Sequence, residues 1–206
     1  MKKDRLDKQL EFILAIDKEK NIFRQTYVSD ASRMENDAEH AWHMAVMCMI
    51  LSEYAEHPID KLKTMTMLLI HDLVEIYAGD TYAYAGVDAE EIHQREYAAA
   101  EKLYGMLPEE QGIYFMNLWK EFEEGKSPEA QFARTMDRIQ PMMLNAATDG
   151  RAWKEHKVRL SQIMKRNEHT AEGSSVLWDY ALKHFVMPHV ESGEIIDDET
   201  HSTGVK

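Results

Sequence analysis

A chain of 206 residues with 44% hydrophobic and 30% charged residues has the composition of one globular domain. Its net charge of −13 argues against non-specific binding to nucleic acid, which requires a basic surface. Because the chain has no long apolar run, no apolar signal-peptide core at its start and a single cysteine, Cys48, we expect a cytoplasmic protein without a membrane span or an intrachain disulfide.

Hydrophobic periodicity predicts helices through most of the chain. The predicted helices cover, in chain order, residues 4–18, 35–56, 60–78, 88–105, 109–124, 128–147, 155–168 and 174–188. The first carries an apolar stripe formed by Leu6, Leu10, Ile13 and Leu14. Residues 22–34 lose the helical rhythm, and residues 79–87 contain glycines, so both segments are predicted as loops.

Residues of the type that cap helices support several of these boundaries. Asp60 suits an N-cap, Asp88 and Glu91 resemble a capping box, and Ser127 precedes a proline in the first turn of its helix. No internal repeat and no convincing strand is present. The sequence therefore predicts an all-α helical bundle, with one domain over residues 1–192 and a polar, disordered tail over 193–206.

The second predicted helix carries a histidine on its apolar face. His40 shares this face with Met44, Met47 and Leu51, at spacings of four, seven and eleven residues. A single histidine in this position is more often a hydrogen-bonded core residue than a ligand. His43, three residues further on, is either a neighbour of the same site or a surface residue.

The third predicted helix places His71 and Asp72 directly after the apolar run that ends at Ile70. Burying a carboxylate costs several kcal/mol unless it is paired or bound to a metal. Adjacent side chains on one helix can reach a single cation that lies between them. The alternatives are a salt bridge within the helix and a partly exposed helix face, and the preceding apolar run argues against the second.

A divalent ion held by this pair needs further ligands from other parts of the chain. His40 is one inward-facing candidate, and Asp137, which lies among apolar residues of a later helix, is another. Pro141 lacks the N–H group that would bond the Asp137 carbonyl, so a kink is expected near this residue. Glu75 lies one turn beyond His71 on the same face and suits an acid or base acting on water at the metal.

The pattern of His40, His71-Asp72 and Asp137 resembles the H…HD…D signature of the HD-domain metal-dependent phosphohydrolases. The segments ENDAEHAWHMAV (35–46), HDLVEIYAGDT (71–81) and ARTMDRIQP (133–141) resemble the branch that contains the 5′-deoxynucleotidases. The resemblance implies an all-α bundle, one divalent metal ion per chain, often cobalt or manganese, and a homodimer.

The resemblance also implies a role for each matching residue. His40, His71, Asp72 and Asp137 would bind the metal, Glu75 would activate the water, and Asp80 would contact the sugar. Arg24 and Arg33 resemble the arginines that bind the phosphate in this family. The list of candidate site residues is thus Arg24, Arg33, His40, His71, Asp72, Glu75, Asp80 and Asp137.

Two features depart from the pattern or extend it. The nucleotidases carry Arg-Trp where this chain has Arg24-Gln25, which leaves the sugar preference open. The segment NAATDGRAWKEH (145–156) resembles a subgroup of HD-domain proteins, and Asn145, Trp153 and His156 either shape a pocket or cap and pack a helix end. We favour packing for these three residues.

These observations predict a hydrolase that removes phosphate from a small monophosphate, in the first place a (deoxy)nucleoside 5′-monophosphate. Hydrolysis of a phosphodiester, or of a nucleotide with release of pyrophosphate or triphosphate, is the first alternative. Arg24 and Arg33 are few positive charges for a triphosphate, which favours a monophosphate. The second alternative is a non-catalytic helical module that uses the same residues for a structural metal.

Overall fold

The computed structural model describes residues 4–79 and 89–198, most of which are helical, and the all-α prediction is confirmed. The helices are α1 (Arg5–Ile16), α2 (Asp37–Leu51), α3 (Lys61–Ile70), α4 (Glu75–Ala78), α5 (Ala89–Tyr104), α6 (Glu109–Glu124), α7 (Pro128–Ala147), α8 (Arg151–Glu155), α9 (Leu160–Arg166), α10 (Thr170–Gly173), α11 (Ser175–Ala181) and α12 (Met187–Glu191). α7 lies at the centre and packs against α2, α3, α6 and α10. None of the described helices combines the length and the apolar character needed to cross a bilayer.

A small sheet occupies part of the segment that was predicted as a loop. Strand β1 (Phe23–Tyr27) pairs antiparallel with β2 (Met34–Asn36). Strands of five and three residues are too short to produce a recognisable alternation of apolar and polar residues, which is why the sequence did not reveal them. β1 packs against α7 and so brings Arg24 to the centre of the molecule.

α2 begins directly after β2, at a capping box formed by Asn36 and Glu39. The side chain of Asn36 accepts a hydrogen bond from the backbone N–H of Glu39, and the side chain of Glu39 accepts one from the N–H of Asn36. His40 and Met44 are fully buried, as the apolar stripe predicts. The helix is shorter than expected and ends at Leu51.

The third predicted helix is interrupted at the His-Asp pair. α3 ends at Ile70, a 3-10 turn covers His71–Val74, and α4 then begins at Glu75. The hydroxyl of Tyr104 donates at 2.9 Å to the Ile70 carbonyl, which in a continuous α-helix would accept a hydrogen bond from the N–H of Val74. The tighter turn therefore directs His71 and Asp72 differently from a continuous helix.

The later helices follow the prediction in part. α6 and α7 have the predicted bounds, and α7 continues through Pro141. The side-chain amide of Asn145 donates a hydrogen bond to the Pro141 carbonyl at 2.9 Å. The helix predicted at 155–168 is observed as the shorter α9, and α8 precedes it and shares only Glu155 with the predicted range. The one predicted at 174–188 is divided into α11 and α12 by a π-helical turn, Leu182–Val186.

The apolar stripe identified on α1 faces solvent rather than the core. The four stripe residues Leu6, Leu10, Ile13 and Leu14 are between 54% and 74% exposed. The buried residues are Phe12, whose ring stacks on Phe115 with centroids 6.2 Å apart, and Ala15. α1 is joined to α6 by this aromatic contact and by the side-chain hydrogen bonds from Arg5 to Glu110 and from Gln9 to Gln111.

Part of the predicted polar tail packs against the domain. Ile195 is buried, Ile196 forms a parallel bridge with Arg159, and the carboxylate of Asp198 accepts hydrogen bonds from the N–H and hydroxyl of Ser161. The hydrophobic pair at 195–196 is anchored in this way to the start of α9. Residues 199–206 lie outside the described part of the chain.

Candidate active site

Side chains from three elements converge where α2, the turn after α3, and α7 meet. His40, His71 and Asp72 each offer one ligand atom, and these atoms lie within 4.8 Å of one another. Asp137 completes the group, because its Oδ1 lies 3.2 Å from Nε2 of His40 and 3.8 Å from Nε2 of His71. The structure thus brings together the four residues that the sequence predicts as metal ligands.

Both histidines are held through Nδ1, which leaves Nε2 facing the carboxylates. Nδ1 of His71 donates to the Leu68 carbonyl at 3.0 Å, and Nδ1 of His40 donates to Oε1 of Gln140 at 2.9 Å. The amide of Gln140 in turn donates to Glu35 at 2.7 Å. A hydrogen bond at one ring nitrogen fixes the tautomer in which the other nitrogen offers a lone pair.

The cluster strongly perturbs the ionisation of its members. Burial would raise the pKa of Asp72, but His71 and Arg24 hold it well below its usual value. Burial would likewise raise the pKa of Asp137, and hydrogen bonds to His40 and His71 lower it well below the usual value. In the absence of a cation, burial lowers and the carboxylates raise the pKa of His71, with a net upward shift. Two ionised carboxylates therefore face two imidazoles in a buried site.

The donor set fits a divalent transition-metal ion. Among the described residues, Nε2 of His71 has no hydrogen-bond partner although it is buried. A lone buried imidazole nitrogen that points towards Asp72 and Asp137 is an unsatisfied group that a metal would satisfy. Two imidazoles and two carboxylates are ligands suited to zinc, iron, cobalt or manganese.

Arg24 contacts the same cluster from β1. Its Nη1 donates to Oδ2 of Asp72 at 2.9 Å and lies 3.4 Å from Oδ1 of the fully buried Asp37. Burial by itself would lower the pKa of Arg24, but the charges of Asp72 and Asp137 raise this pKa by a larger amount. The guanidinium therefore remains charged. The guanidinium of Arg24, which the family resemblance assigns to phosphate binding, therefore lies beside Asp72 as a positive charge.

A cavity of about 450 Å³ opens onto this cluster. Its walls include His71, Asp72, Asp137, Arg24 and Glu75. Glu75 begins α4, one turn beyond the His-Asp pair, and is half-buried. The position predicted for the acid or base therefore borders the same space as the ligand cluster.

The structure does not bring Arg33 into the cavity, which corrects the sequence prediction for this residue. Its two Nη atoms bond both carboxylate oxygens of Glu39, at 2.6 and 2.7 Å, on the surface. Glu39 is the capping-box residue of α2, so it is fixed where it can neutralise Arg33. The other predicted substrate contact, Asp80, lies outside the described residues.

Comparison with known proteins identifies the family. A family model described as the HD domain matches residues 16–178. This chain belongs to the HD domain family. A crystal structure of a predicted metal-dependent phosphohydrolase from Magnetospirillum magnetotacticum is similar to it, with a TM-score of 0.86 and 41% identity over 93% of this chain and 95% of that one.

Two curated relatives are 5′-deoxynucleotidases. The human 5′-deoxynucleotidase HDDC2 is 30% identical over 139 residues, which is 67% of this chain and 66% of the human protein. The protein of the same name from Dictyostelium discoideum is 32% identical over 143 residues, or 66% of this chain and 75% of that protein. The chain thus spans just under two thirds of the human relative.

Other residues of the HD domain were not predicted from the sequence. Gln140, which is fully buried, orients His40, and its amide also contacts Nδ1 of His43 at 3.2 Å. Gln140 lies three residues after Asp137, so the helical spacing alone could have indicated it. Arg134, Arg138 and Arg166 line the cavity. The first two lie in the segment ARTMDRIQP, of which only Asp137 was assigned a role from the sequence.

The sequence favoured a packing role for Asn145, Trp153 and His156, and these residues differ in whether they border the cavity. Asn145 and Trp153 both line the HD-domain cavity, whereas His156 does not border it. Asn145 is buried, and Trp153 packs its ring against His189 with centroids 5.4 Å apart. Trp153 thus supplies an indole to the cavity that Gln25 also lines.

Two further carboxylates line the HD-domain cavity, Glu96 of α5 and Glu123 of α6. Burial, reinforced by the charge of Glu123, raises the pKa of Glu96 to about 7. Burial also raises the pKa of Glu123, against the opposing charge of Arg134. Near neutral pH Glu96 is therefore partly protonated, so its carboxyl group can both donate and accept hydrogen bonds.

Proposed function

We propose that this protein is a metal-dependent phosphohydrolase that removes the phosphoryl group from a small phosphate monoester, in the first place a deoxynucleoside 5′-monophosphate. The observation that carries the proposal is the convergence of His40, His71, Asp72 and Asp137 at a cavity that also contains Arg24 and Glu75. The names of the curated relatives, 5′-deoxynucleotidases, support the choice of substrate.

We assign the four converging side chains as ligands of one divalent ion per chain, with cobalt and manganese as the first candidates. When bound, the ion supplies a charge that polarises a phosphoryl oxygen and lowers the pKa of a coordinated water. Nδ1 of each histidine is already engaged, so Nε2 is the atom that each presents as a ligand.

The remaining residues position the substrate and move a proton. Arg24, fixed by Asp72, offers further N–H donors for charge-assisted hydrogen bonds to phosphoryl oxygens. Glu75 accepts the proton of the attacking water as the P–O bond to the leaving alcohol breaks. Arg138 lies next to Asp137, with Nη1 3.6 Å from its Oδ2, and adds positive charge beside the proposed metal ligands.

The chain is also proposed to act as a cytoplasmic homodimer, as the family resemblance implies. Large apolar side chains are exposed on two adjacent helices, α2 and α3: Trp42, Met49, Ile50, Leu62 and Leu69. An apolar surface that crosses two packed helices is typical of an interaction site. Light scattering after size-exclusion chromatography is expected to give twice the chain mass.

A screen of nucleoside and sugar monophosphates with several divalent ions tests the proposed activity. We expect inorganic phosphate to be released from deoxynucleoside 5′-monophosphates after addition of cobalt or manganese, and not in chelator. Release of pyrophosphate or triphosphate instead would favour the alternative hydrolase reactions. A purified protein without metal, whose stability is the same with and without chelator, would favour the non-catalytic module.

A further inference from the structure

A buried acidic side chain lies on the Nδ1 side of the His40 ring. Glu35 belongs to β2, directly before the cap of α2, and is 3% exposed. Its Oε1 accepts a hydrogen bond from the amide of Gln140 at 2.7 Å. Its Oε2 has no hydrogen-bond partner among the described residues and lies 3.6 Å from Nδ1 of His40. Burying a carboxylate with so few partners costs several kcal/mol, so the stability of the fold alone does not account for this residue.

The contacts of Gln140 determine which end of its side-chain amide faces His40. A carboxylate accepts hydrogen bonds and has none to donate, so the contact with Glu35 requires the NH2 group of the amide. The same nitrogen lies 3.2 Å from Nδ1 of His43, which is a second acceptor when His43 carries its proton on Nε2. The amide oxygen Oε1 is then left for His40 and lies 2.9 Å from its Nδ1. Glu35 and His43 thus orient the amide of Gln140.

The orientation of this amide fixes the tautomer of His40. An amide oxygen only accepts hydrogen bonds, so Nδ1 of the ring carries the proton. Nε2 of the neutral ring then offers its lone pair on the side of Asp137, whose Oδ1 lies 3.2 Å away. With the amide of Gln140 reversed, its NH2 group would face Nδ1, and the ring proton would lie on Nε2. The lone pair that a metal requires would then be lost.

We propose that Glu35 is a positioning residue for the metal, because its carboxylate, acting through Gln140, holds His40 in the tautomer that binds a divalent ion through Nε2. The inference rests on the proposed function, which takes His40 as a metal ligand. Glu35 does not line the cavity, so it acts on the site without touching the substrate. The negative charge of Glu35, rather than its volume, is what the metal site requires.

Glu35→Gln keeps the size of the side chain and removes its charge. The amide introduced at position 35 can pair with either end of the Gln140 amide, so both tautomers of His40 become accessible. We expect the affinity for zinc and cobalt, measured by competition with a chelator, to fall about 10–100-fold. Glu53→Gln removes the same charge from an exposed residue and is expected to keep the wild-type affinity. Equal affinities in Glu35→Gln and wild type would overturn the proposal.

Exchanging the two side chains separates the effect of the charge from that of packing. In the double variant Glu35→Gln/Gln140→Glu, the carboxylate at position 140 accepts directly from Nδ1 of His40, and the amide at position 35 donates to this carboxylate. The proton of His40 is thereby held on Nδ1 again, with the net charge unchanged. We expect the double variant to recover most of the metal affinity that Glu35→Gln loses. A double variant that binds metal no better than Glu35→Gln would contradict the proposal.

Nitrogen-15 NMR of the histidine rings reads the tautomer directly. In the zinc-loaded wild type, we expect the proton of His40 on Nδ1 and the zinc on Nε2. Zinc bound through Nδ1 would refute the proposal without the need for a variant. In metal-free Glu35→Gln, we expect a fraction of the neutral His40 rings to carry the proton on Nε2. A lowered affinity with an unchanged tautomer would assign Glu35 a packing role and refute the proposal.

The role of Glu35 and the proposed function can fail separately. If zinc binding through His40 depends on Glu35 but no monophosphate is hydrolysed, the proposed function fails and the role of Glu35 stands. If monophosphates are hydrolysed and Glu35→Gln keeps the wild-type metal affinity, the proposed function stands and the role of Glu35 is lost. Thermal unfolding in chelator shows whether each variant is folded, and the wild-type spectrum tests the proposal even if a variant is not.

Discussion

One hydrogen bond at Nδ1 of each histidine, His40 and His71, decides which ring nitrogen can bind a metal. His40 and His71 both donate from Nδ1, one to Gln140 and the other to the Leu68 carbonyl. In the neutral form of each ring the proton is therefore on Nδ1, and the lone pair of Nε2 faces Asp72 and Asp137. A protonated Nε2 would instead form an ordinary ion pair with the carboxylates and leave no ligand for a metal. These two bonds make the cluster suitable for a cation.

Substitution of Asp72 and of Glu75 should have different consequences. Asp72→Ala is expected to remove both metal binding and turnover, because it deletes a proposed ligand and the nearer of the two carboxylates that hold Arg24. Glu75→Ala is expected to retain the metal and lose about 10²–10⁴-fold in kcat, the usual contribution of a general base. Metal analysis and phosphate release on the same samples check both outcomes. Wild-type turnover in Glu75→Ala would refute the role assigned to Glu75.

Gln140 is expected to set the metal affinity without touching the metal. Gln140→Leu removes the acceptor for Nδ1 of His40, so the ring can rotate or change its tautomer. We expect metal affinity to fall about 10–100-fold, as is usual for residues that orient a ligand. Competition with a chelator measures this affinity, and Gln94→Leu, on the exposed face of α5, is the matched control. An unchanged affinity in Gln140→Leu would show that packing alone orients His40.

α7 is the element that organises the site. It carries Asp137, Gln140, Arg134 and Arg138, and it packs against α2 and α3, which carry or precede the two histidines. The 3-10 turn after α3 has a similar importance, because it redirects His71 and Asp72 towards α7. Small displacements of either element would separate ligands that lie within a few ångströms of one another.

The contact between α10 and α7 should tolerate little change. A Cβ atom at Gly173 would lie 2.3 Å from the Gln131 carbonyl oxygen and 2.4 Å from Oγ1 of Thr135. Since a backbone atom cannot move aside easily, we expect Gly173→Ala to lower the free energy of unfolding by about 1–3 kcal/mol. Chemical denaturation measures this change. The neighbouring Ala171→Gly is the control, with an expected loss of about 1 kcal/mol or less.

Taken together, the molecule concentrates buried acidic groups around the ligand cluster. Glu19, Glu35 and Asp37 are all less than 10% exposed. Arg24 offsets part of this charge, and a bound divalent cation would offset more of it. The excess of acidic residues in the composition is therefore reflected inside the protein as well as on its surface.

Glu19 gives this arrangement a measurable pH dependence in the metal-free protein. Burial, with Asp72 and Asp37, raises its pKa from 4.5 to about 7. The folded state then binds this proton more tightly than the unfolded state, so stability falls as the pH rises from 4.5 to 7 and remains lower above 7. Glu19→Gln removes the penalty and is expected to add on the order of 2 kcal/mol at pH 8 in chelator. The free energy of unfolding at pH 4 should differ little between Glu19→Gln and wild type. Equal free energies of unfolding at pH 8 would contradict the expectation.

The sequence by itself determined the helical class and the chemistry of the ligand set. Periodicity is a local property, so the bounds of α6 and α7 and the burial of His40 could be predicted from it. The polar pair at His71 and Asp72 was recognisable because it follows an apolar run. The role proposed for Glu75 was suggested by its spacing from His71 in the predicted helix.

Only the tertiary structure decided which side chains meet. α1 packs through Phe12 rather than through its four-residue stripe, because the neighbouring surface of α6 selects the buried face. Arg33 is neutralised by Glu39, whereas Arg134 and Arg166, distant in the chain, reach the cavity. Gln140 bonds His40 across a hundred residues of sequence. Contacts of this kind depend on how elements pack in three dimensions, because the spacing of residues along a helix shows which of them share a face but not which residues of another element they meet.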